Sequence, residues 1–329
     1  MTGYAPPFDG VKTLHDLWES TCSRHSGEEC LGTRDVAPDG TPGAYRWMTY
    51  GQLYDRRAAC SSGYASFGLK PGDHVGMYSV NTAEWCVLDS AMTRTALVSV
   101  PLYDTLGPDA VRFICNHAEL AAVCVSHACL PTMLGCLAEC PTVKLLVVYA
   151  HGGKPLPRTP AGAGHACKVV TIEQLEAEGR RRPVAPVPPR EEAMATICYT
   201  SGTTGDPKGV MLTHANLIYG GQTSAAHREI TAADHIYGVL PLTHVFGLSS
   251  AFMAALAVGA CLELVPRFDA AVTFAALQSR VSVFPAVPQM HALLMAHASQ
   301  SGLKKLHAER LRYISSGGAP LDLAWKQKV

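Results

Sequence analysis

The sequence has 329 residues and a mass of 35.0 kDa, which is long enough for two α/β lobes, each with its own core. Lys and Arg together number 27, as do Asp and Glu. This balance argues against a nucleic-acid-binding surface and against a disordered acidic tail. Residues 1–10 contain neither a basic region nor a continuous apolar stretch, so no secretory signal is predicted and a cytoplasmic or organelle-peripheral location is expected.

The 12 cysteines form no Cys-x-x-Cys pair, and most of them stand in apolar runs. They are predicted to be small core residues in a reducing compartment. One group invites a zinc interpretation, but its spacing fits no common zinc arrangement. The residues of that group are Cys124, His127, Cys129, Cys136 and Cys140.

The first half of the chain is predicted to alternate strands and helices. A helix is expected over 49–69, ended by Gly68. Strands are expected at 75–79, 98–102, 121–126 and 145–149, and helices at 84–96 and 108–117. This alternation indicates a largely parallel sheet with helices on both faces. Residues 151–190 are rich in Gly and Pro and are predicted to connect two lobes, with a short strand and helix at 168–178.

Residues 199–214 read YTSGTTGDPKGVMLTH and have the composition of an anion-binding loop. Glycines allow φ > 0 and let backbone N–H groups converge, hydroxyls add donors, and Lys208 supplies a cation. An apolar strand at 195–198 precedes the loop and a helix cap at 213–216 follows it, which is the order strand, loop, helix typical of phosphate sites. A Walker loop is excluded because Lys208 follows Pro207 and Gly209 replaces the Ser/Thr. A ligand-free surface turn remains the alternative.

Four further strands are predicted in the second half, at 235–240, 261–265, 281–284 and 311–315. His244 and Phe246 follow the first of them, and Gly317, Gly318, Ala319 and Pro320 follow the last, at the strand ends where α/β folds bind ligands. The uncharged run 245–262 is about long enough to cross a bilayer. Because Ser249, Ser250 and Gly259 interrupt this run, a core helix followed by a core strand is the preferred interpretation.

The string from Tyr199 to His214 resembles the phosphate-loop signature of the adenylate-forming family, which includes acyl-CoA synthetases, 4-coumarate-type CoA ligases, luciferases and peptide-synthetase adenylation domains. Residues 81–85 (NTAEW) and 100–107 (VPLYDTLG) are similar to segments of eukaryotic long-chain acyl-CoA synthetases. Trp85 and Tyr103 in these segments are interpreted as packing residues. The stretch after His244 is closer to 4-coumarate-type ligases, so the acyl chain length stays open.

The resemblance implies an α/β fold of two lobes with largely parallel sheets, divided at 1–190 and 191–329. It implies ATP-dependent activation of a carboxylic acid, with a fatty acid as the expected class, to an acyl-adenylate and then a CoA thioester, with ATP, Mg²⁺ and coenzyme A taking part. Lys208 and His244 would serve catalysis. The acyl pocket would be formed by His244, Phe246 and Ser250, and Arg267 would contact CoA. The phosphates would lie on Thr200, Ser201, Gly202, Thr203, Thr204, Gly205 and Lys208, and adenine on Gly317, Gly318, Ala319 and Pro320.

Family members continue beyond the point that corresponds to Val329, with a magnesium-holding acidic segment and a mobile lid domain. The sequence is therefore expected to be an incomplete, N-terminal form that holds no metal ligand of its own. A non-catalytic nucleotide-binding or interaction fragment is the alternative function. Adenylation for peptide synthesis has no support, because no carrier domain follows. Expected partners are small molecules, without nucleic acid and without a transmembrane segment, and peripheral membrane association stays open.

Overall fold

A computed structural model describes residues 10–36, 42–150, 167–200, 207–302 and 307–320. The predicted α/β fold with two largely parallel sheets is confirmed. The first sheet has seven strands in the order β7-β6-β5-β3-β4-β8-β9. Its strands are β3 (His74–Tyr78), β4 (Val98–Leu102), β5 (Ala122–Ser126), β6 (Leu145–Tyr149), β7 (Lys168–Thr171), β8 (Met194–Thr200) and β9 (Lys208–Thr213). All neighbours run parallel except β9, which is antiparallel to β8.

The second sheet has six strands in the order β13-β12-β10-β11-β1-β2. Its strands are β1 (Glu29–Val36), β2 (Pro42–Thr49), β10 (His235–Gly238), β11 (Cys261–Leu264), β12 (Val283–Ala286) and β13 (Tyr313–Ser316). The hairpin partner β2 is antiparallel to β1, and the remaining pairs are parallel.

Helices cover the sheets. They are α1 (Leu14–Arg24), α2 (Tyr50–Ser66), α3 (Ala83–Met92), α4 (Pro108–His117), α5 (Leu130–Cys136), α6 (Ile172–Arg181), α7 (His214–His227), α8 (Val245–Gly247), α9 (Ala254–Val258), α10 (Ala270–Leu277) and α11 (Pro288–Gln300). A 3₁₀ turn at Leu137–Glu139 and a π-helical segment at Leu248–Met253 complete the set among the described residues.

Local sequence explains where several helices begin. Threonines 13, 49, 171 and 213 each form a capping box, in which the threonine side chain accepts from the backbone N–H three residues on and that residue's side chain accepts from the threonine N–H. The end of α2 is equally local, because Gly68 adopts φ +94° just after the helix, as predicted.

The boundary predicted at residue 190 does not separate the two sheets. The β1–β2 hairpin pairs with β11 from the second half of the chain, and the β8–β9 hairpin pairs with β4 from the first half. Each sheet is thus assembled from both sides of residue 190. Hydrophobic patterning identifies a strand but carries no information about which sheet the strand joins.

The largest buried cluster lies between the two sheets. Trp18, Trp85 and Phe252 form its aromatic centre, with ring centroids 5.7 Å apart for Trp18–Phe252 and 6.0 Å for Trp85–Phe252. The expectation that Trp85 is a packing residue is confirmed. Separate clusters fill the outer faces, one beneath α4 and α5 and one beneath α10 and α11.

Two glycines allow α2 and α6 to cross in close contact. A Cβ atom placed on Gly179 would lie 1.8 Å from the Ala59 carbonyl oxygen, and one placed on Gly63 would lie 2.4 Å from the Leu175 carbonyl oxygen. Backbone is thus packed directly against backbone at both positions, and no larger residue fits there.

The uncharged run 245–262 is split, as expected, into short helical segments followed by a buried strand. They are α8, the π-helical segment and α9, which ends at Gly259 with φ +79°, and β11 follows. Across the described residues, we find no helix with the length and apolar character needed to cross a bilayer.

Candidate functional site

The Gly/Thr-rich loop closes a β-hairpin and does not lead into a helix. Thr200 at the end of β8 pairs with Lys208 at the start of β9, and Met194 pairs with Thr213 at the other end. Helix α7 therefore begins roughly 17 Å along the strand from Lys208. The predicted order of strand, loop and helix is wrong here: β9 stands between loop and helix, so the dipole of α7 does not serve the loop.

Most of the predicted phosphate-binding residues lie outside the described residues, namely Ser201, Gly202, Thr203, Thr204 and Gly205. The two residues that flank the loop are described. The Thr200 hydroxyl donates to the Lys208 carbonyl at 3.5 Å, and Lys208 is exposed. The loop is thus anchored at a hairpin end with a lysine free to reach solvent-borne anions.

Gly209 serves packing rather than an unusual backbone conformation. It is not among the described glycines with positive φ, contrary to its predicted role. A Cβ atom there would lie 2.8 Å from Ile197 Cγ2 and 3.3 Å from the Tyr199 ring. The side chains of β8 therefore lie across Gly209, and this position needs a residue without a Cβ.

A hydrogen bond connects the loop end of the β8–β9 hairpin to α4. The Tyr199 hydroxyl and His117 Nδ1 are 2.6 Å apart, and the two rings meet edge to face. His117 in turn stacks on Phe113, with ring centroids 5.2 Å apart. This contact holds the residue that immediately precedes Thr200.

Asn81 holds the strand end that carries His244. Its Nδ2 donates to the carbonyls of Gly238 at 3.0 Å and Leu240 at 2.8 Å, and its Oδ1 accepts from the Leu242 N–H at 2.9 Å. Asn81 follows β3 of the first sheet, whereas the three backbone groups belong to the last residue of β10 in the second sheet and to the segment after it. One buried side chain therefore joins the carboxyl ends of the two sheets, a role that the sequence interpretation missed.

His244 is exposed and caps the short helix α8. Its Nδ1 accepts from the Phe246 N–H at 3.0 Å, which places the proton of the neutral ring on Nε2. The Tyr103 ring meets the His244 ring at 6.5 Å between centroids. Tyr103 is therefore a site residue rather than only a packing residue, and the signal for it was its place just past the end of β4.

A cavity of about 350 Å³ connects these parts. Tyr103 and His244 line it together with Tyr199, Thr200 and Pro207, the last two of which flank the loop. The histidine predicted at the acyl side and the base of the predicted phosphate loop thus face one space, although 44 positions separate Thr200 from His244 in the sequence.

Phe246 and the glycine segment after β13 are also in contact. A Cβ atom on Gly317 would lie 2.9 Å from Phe246 Cζ, so the bare backbone leaves room for this ring. Gly318 adopts φ +77° and turns the chain away from the strand, and Ala319 and Pro320 follow, half-buried and exposed respectively. Two segments predicted separately are therefore in contact.

Ser250 and Arg267 are placed differently from the rest. Ser250 is 5 % exposed within the π-helical segment, where its carbonyl accepts from Arg228 at 3.2 Å, and it does not line the cavity. The Arg267 side chain is 73 % exposed and donates to Asp104 Oδ2 at 2.7 Å. This ion pair bridges the loop after β4 and the loop after β11 beside the cavity.

The cysteines and histidine considered for zinc do not form a convergent group of metal ligands among the described residues. Cys124 lies within β5, Cys129 precedes α5, Cys136 ends α5, and Cys140 follows the 3₁₀ turn. Within the part of the chain that the structure describes, one group of three metal-capable side chains converges, and it lies elsewhere: Glu29, His235 and Cys261. Eleven of the twelve cysteines are buried, Cys167 being the exception.

The fold is that of an α/β protein with a cavity where strands of two sheets end together. The sequence profile of the family described as AMP-binding enzyme matches residues 18–329. The chain belongs to this family.

Similar proteins point the same way. The chain is 43% identical over 248 residues to long chain acyl-CoA synthetase 7, peroxisomal, of Arabidopsis thaliana, covering 75% of this chain and 35% of that protein. It is 32% identical over 251 residues to long-chain-fatty-acid--CoA ligase 1 of Cavia porcellus, covering 73% and 34%. The matched segments thus span about a third of the length of these relatives. A long-chain-fatty-acid-CoA ligase (FadD1) from Archaeoglobus fulgidus superposes with a TM-score of 0.81 at 22% identity, covering 100% of this chain and 62% of that one.

Proposed function

We propose that this chain takes part in the ATP-dependent activation of a carboxylic acid, of the long-chain fatty acid class, to an acyl-adenylate and then to a CoA thioester. The observation that carries the proposal is the cavity shared by His244 with Tyr199 and Thr200. It offers one space in which a carboxylate and a nucleotide phosphate could meet. The fatty acid class is taken from the names of the relatives, which are acyl-CoA synthetases and a fatty-acid ligase.

The chemistry needs charge compensation and alignment rather than a general base. A carboxylate is already ionised at neutral pH, and it must attack the α-phosphate of a polyanion that repels it. In this proposal Ser201–Gly205 hold the outer phosphates, and Lys208 offsets their charge because its exposed side chain starts at the loop's end. The hairpin supplies alignment, since β8 and β9 fix both ends of the loop.

The adenine and the acyl group would lie at residues that follow strands of the second sheet. Adenine would stack against the Gly317–Pro320 backbone, where Gly317 already accommodates the Phe246 ring. The acyl group would enter past His244, Tyr103 and Phe246. Arg267 would meet coenzyme A only after leaving Asp104, because the two side chains form an ion pair. Ser250 would act on the acyl pocket indirectly, through the packing of its helix.

Mg²⁺ usually accompanies ATP, and it prefers carboxylate oxygens and water as ligands. Among the described residues, Asp104 is a carboxylate beside the cavity, and it forms an ion pair with Arg267. No convergent group of metal ligands lies at this edge of the sheets among the described residues. The residues described here therefore do not fit a Mg²⁺ site, and no step is assigned to the ion.

Lys208→Ala tests the assignment of the phosphate loop. We expect ATP binding to weaken by about 1–3 kcal/mol, the range for a charge-assisted contact, and AMP binding to change little, because the lysine is assigned to the outer phosphates. Isothermal titration with each nucleotide measures both. Lys144→Ala is the matched control, since Lys144 is also exposed but donates to the Pro141 carbonyl. Equal losses for ATP and AMP would remove Lys208 from this role.

His244→Ala separates the acyl side from the nucleotide side. In a protein that carries out the complete reaction, this variant should use the acid less well while binding ATP almost as tightly. The reason is that His244 follows β10 of the second sheet, whereas the loop connects β8 and β9 of the first sheet. A loss of ATP affinity with unchanged dependence on the acid would contradict the assignment.

The names of the Arabidopsis relatives also suggest residence in peroxisomes, which imaging of a tagged protein would test.

A further inference from the structure

A cluster of metal-capable side chains lies at the amino-terminal edge of the second sheet. Glu29, His235 and Cys261 are the first residues of β1, β10 and β11, which are adjacent in the order β10-β11-β1. These strands run parallel, so their first residues meet at one edge. One ligand atom from each lies within 4.8 Å of the other two. This edge is opposite the one that carries His244.

The hydrogen bonds of His235 fix which of its nitrogens carries a lone pair toward the cluster. Arg280 Nη2 is 3.2 Å from Nε2, and Glu263 Oε1 is 3.0 Å from Nδ1. A guanidinium can only donate, so Nε2 accepts and the proton is assigned to Nδ1, which donates to Glu263. Glu263 is 1 % exposed. A carboxylate behind the far nitrogen is the arrangement that orients metal-binding histidines.

Cys261 provides a second and independent observation. Its side chain is 3 % exposed, and its thiol makes no hydrogen bond to any of the described residues. Sγ nevertheless lies within 4.8 Å of Glu29 and His235. Burial raises the pKa of this thiol, and the nearby Glu263 and Glu29 carboxylates raise it further, while Arg280 lowers it. Glu29, His235 and Cys261 thus bring together a carboxylate oxygen, an imidazole nitrogen and a buried sulfur, which are the ligand types that bind a transition-metal ion.

A cation already stands at the mouth of the cluster. The Arg280 guanidinium donates to Glu29 and to His235 Nε2, and it lies over the Trp47 ring with 4.3 Å between Cζ and the ring centroid. Its side chain is 37 % exposed and that of Glu29 is 36 % exposed. The arginine can therefore turn into solvent without breaking the core.

We propose that Glu29, His235 and Cys261 form a site for a divalent transition-metal ion of the Zn²⁺ class, which binds by displacing Arg280. Sulfur, imidazole nitrogen and carboxylate oxygen are the ligands that Zn²⁺ takes, at about 2.0–2.3 Å. Tetrahedral ligands at that distance lie about 3.5 Å from one another, so the three atoms need to move inward by roughly 1 Å. Water supplies the fourth ligand.

Charge balance favours the exchange. Arg280 leaves with one positive charge, the metal ion brings two, and the Cys261 thiol releases one proton to solvent as its sulfur binds. The formal charge of the cluster, including Glu263, is then the same with either cation. The carboxylates of Glu29 and the buried Glu263 are thus compensated by a cation in both states, and for Glu263 this matters because an unpaired buried charge is costly.

Co²⁺ is a suitable probe, because thiolate ligation gives it a charge-transfer absorption band in the near ultraviolet. The 329-residue chain, reduced and free of chelators, should develop this band on titration with Co²⁺ and lose it on addition of Zn²⁺. Arg280→Met keeps an aliphatic stem over Trp47 but removes the competing cation, so it should bind Co²⁺ at least about tenfold more tightly. Cys261→Ser should abolish the band. Cys167→Ser is the control and should retain it, because Cys167 is the most accessible thiol and lies outside the cluster.

Several results would overturn the proposal. The first is no band in either the natural chain or Arg280→Met, and the second is a band that persists in Cys261→Ser. A band in Arg280→Met alone would show that the arginine is the permanent occupant and that the natural chain binds no metal there. If Cys261→Ser does not fold by circular dichroism, Glu29→Gln replaces it. This variant changes a half-exposed side chain, and unchanged Co²⁺ affinity in it would count against the site.

Discussion

Replacing Asn81 by alanine should both destabilise the protein and loosen His244. The side chain is 4 % exposed and makes three hydrogen bonds to backbone groups of the other sheet, at 2.8 to 3.0 Å. Each such bond contributes about 1 kcal/mol net, and the alanine variant leaves buried donors and acceptors unpaired. We therefore expect a loss of about 3–4 kcal/mol in the free energy of unfolding. The segment from Pro241 to His244 should gain mobility, because the hydrogen bonds by which Asn81 holds this part of the chain are gone.

Urea unfolding, followed by circular dichroism and tryptophan fluorescence, measures the free-energy change. Asn116→Ala is the matched control, because Asn116 is exposed and makes one hydrogen bond, to the Glu139 carbonyl at 2.9 Å. It should cost less than about 1 kcal/mol. Asn81→Asp keeps the acceptor for the Leu242 N–H but sets a carboxylate against two carbonyls, so it should be no more stable than the alanine variant. Hydrogen exchange of the Leu242 and His244 amides reports the local effect.

The reasoning would be refuted if Asn81→Ala cost no more than Asn116→Ala, or if Asn81→Asp were as stable as the natural protein. Either result would mean that the two sheets are held together at this edge by the apolar core alone. A large loss of stability without faster exchange at Leu242 and His244 would leave the energetic part standing and contradict the claim that Asn81 positions the site.

Two further predictions concern stability away from the site. Burial lowers the pKa of His214 to about 4, with Asp16 raising it and His15 lowering it more weakly. His214 is therefore protonated less readily in the folded protein than in the unfolded chain. The stability that this difference contributes is fully present above about pH 6.5, and it is lost as the pH falls toward 4. Between about pH 6.5 and 4, the free energy of unfolding of His214→Gln should fall by up to about 3 kcal/mol less than that of the natural protein. Urea unfolding across this pH range measures the difference. Gly179→Ala should cost about 3 kcal/mol, because its Cβ would lie 1.8 Å from the Ala59 carbonyl oxygen.

These two predictions have their own controls. His227 ends α7 at an exposed position, so His227→Gln should leave the pH dependence of stability unchanged, and a parallel change in both variants would contradict the assignment to His214. For the helix crossing, Gly135→Ala is the comparison, since no atom lies within 4 Å of a Cβ there. Equal stabilities of Gly135→Ala and Gly179→Ala would show that α2 and α6 can separate at little cost.

The sequence by itself determined most elements and their ends. Capping threonines, the glycine after α2 and the apolar period of each strand act over three or four residues, so the chain carries this information locally. The resemblance of the loop at 199–214 placed the chain in a family that the profile match to residues 18–329 confirms. His244 and the Gly317–Gly318 segment also stand where they were predicted, after β10 and β13, while their roles in binding stay predictions.

Only the tertiary structure decided how these pieces combine. Strand pairing is set by contacts between residues far apart in the chain, and so the β1–β2 hairpin joins the second sheet and β8–β9 the first, across the predicted boundary. The hairpin at the loop, the tether from Asn81 and the contact of Tyr103 with His244 likewise depend on neighbours that no local pattern names. Local periodicity reports which face of an element is buried, whereas the partner on that face is selected by the packing of the whole chain.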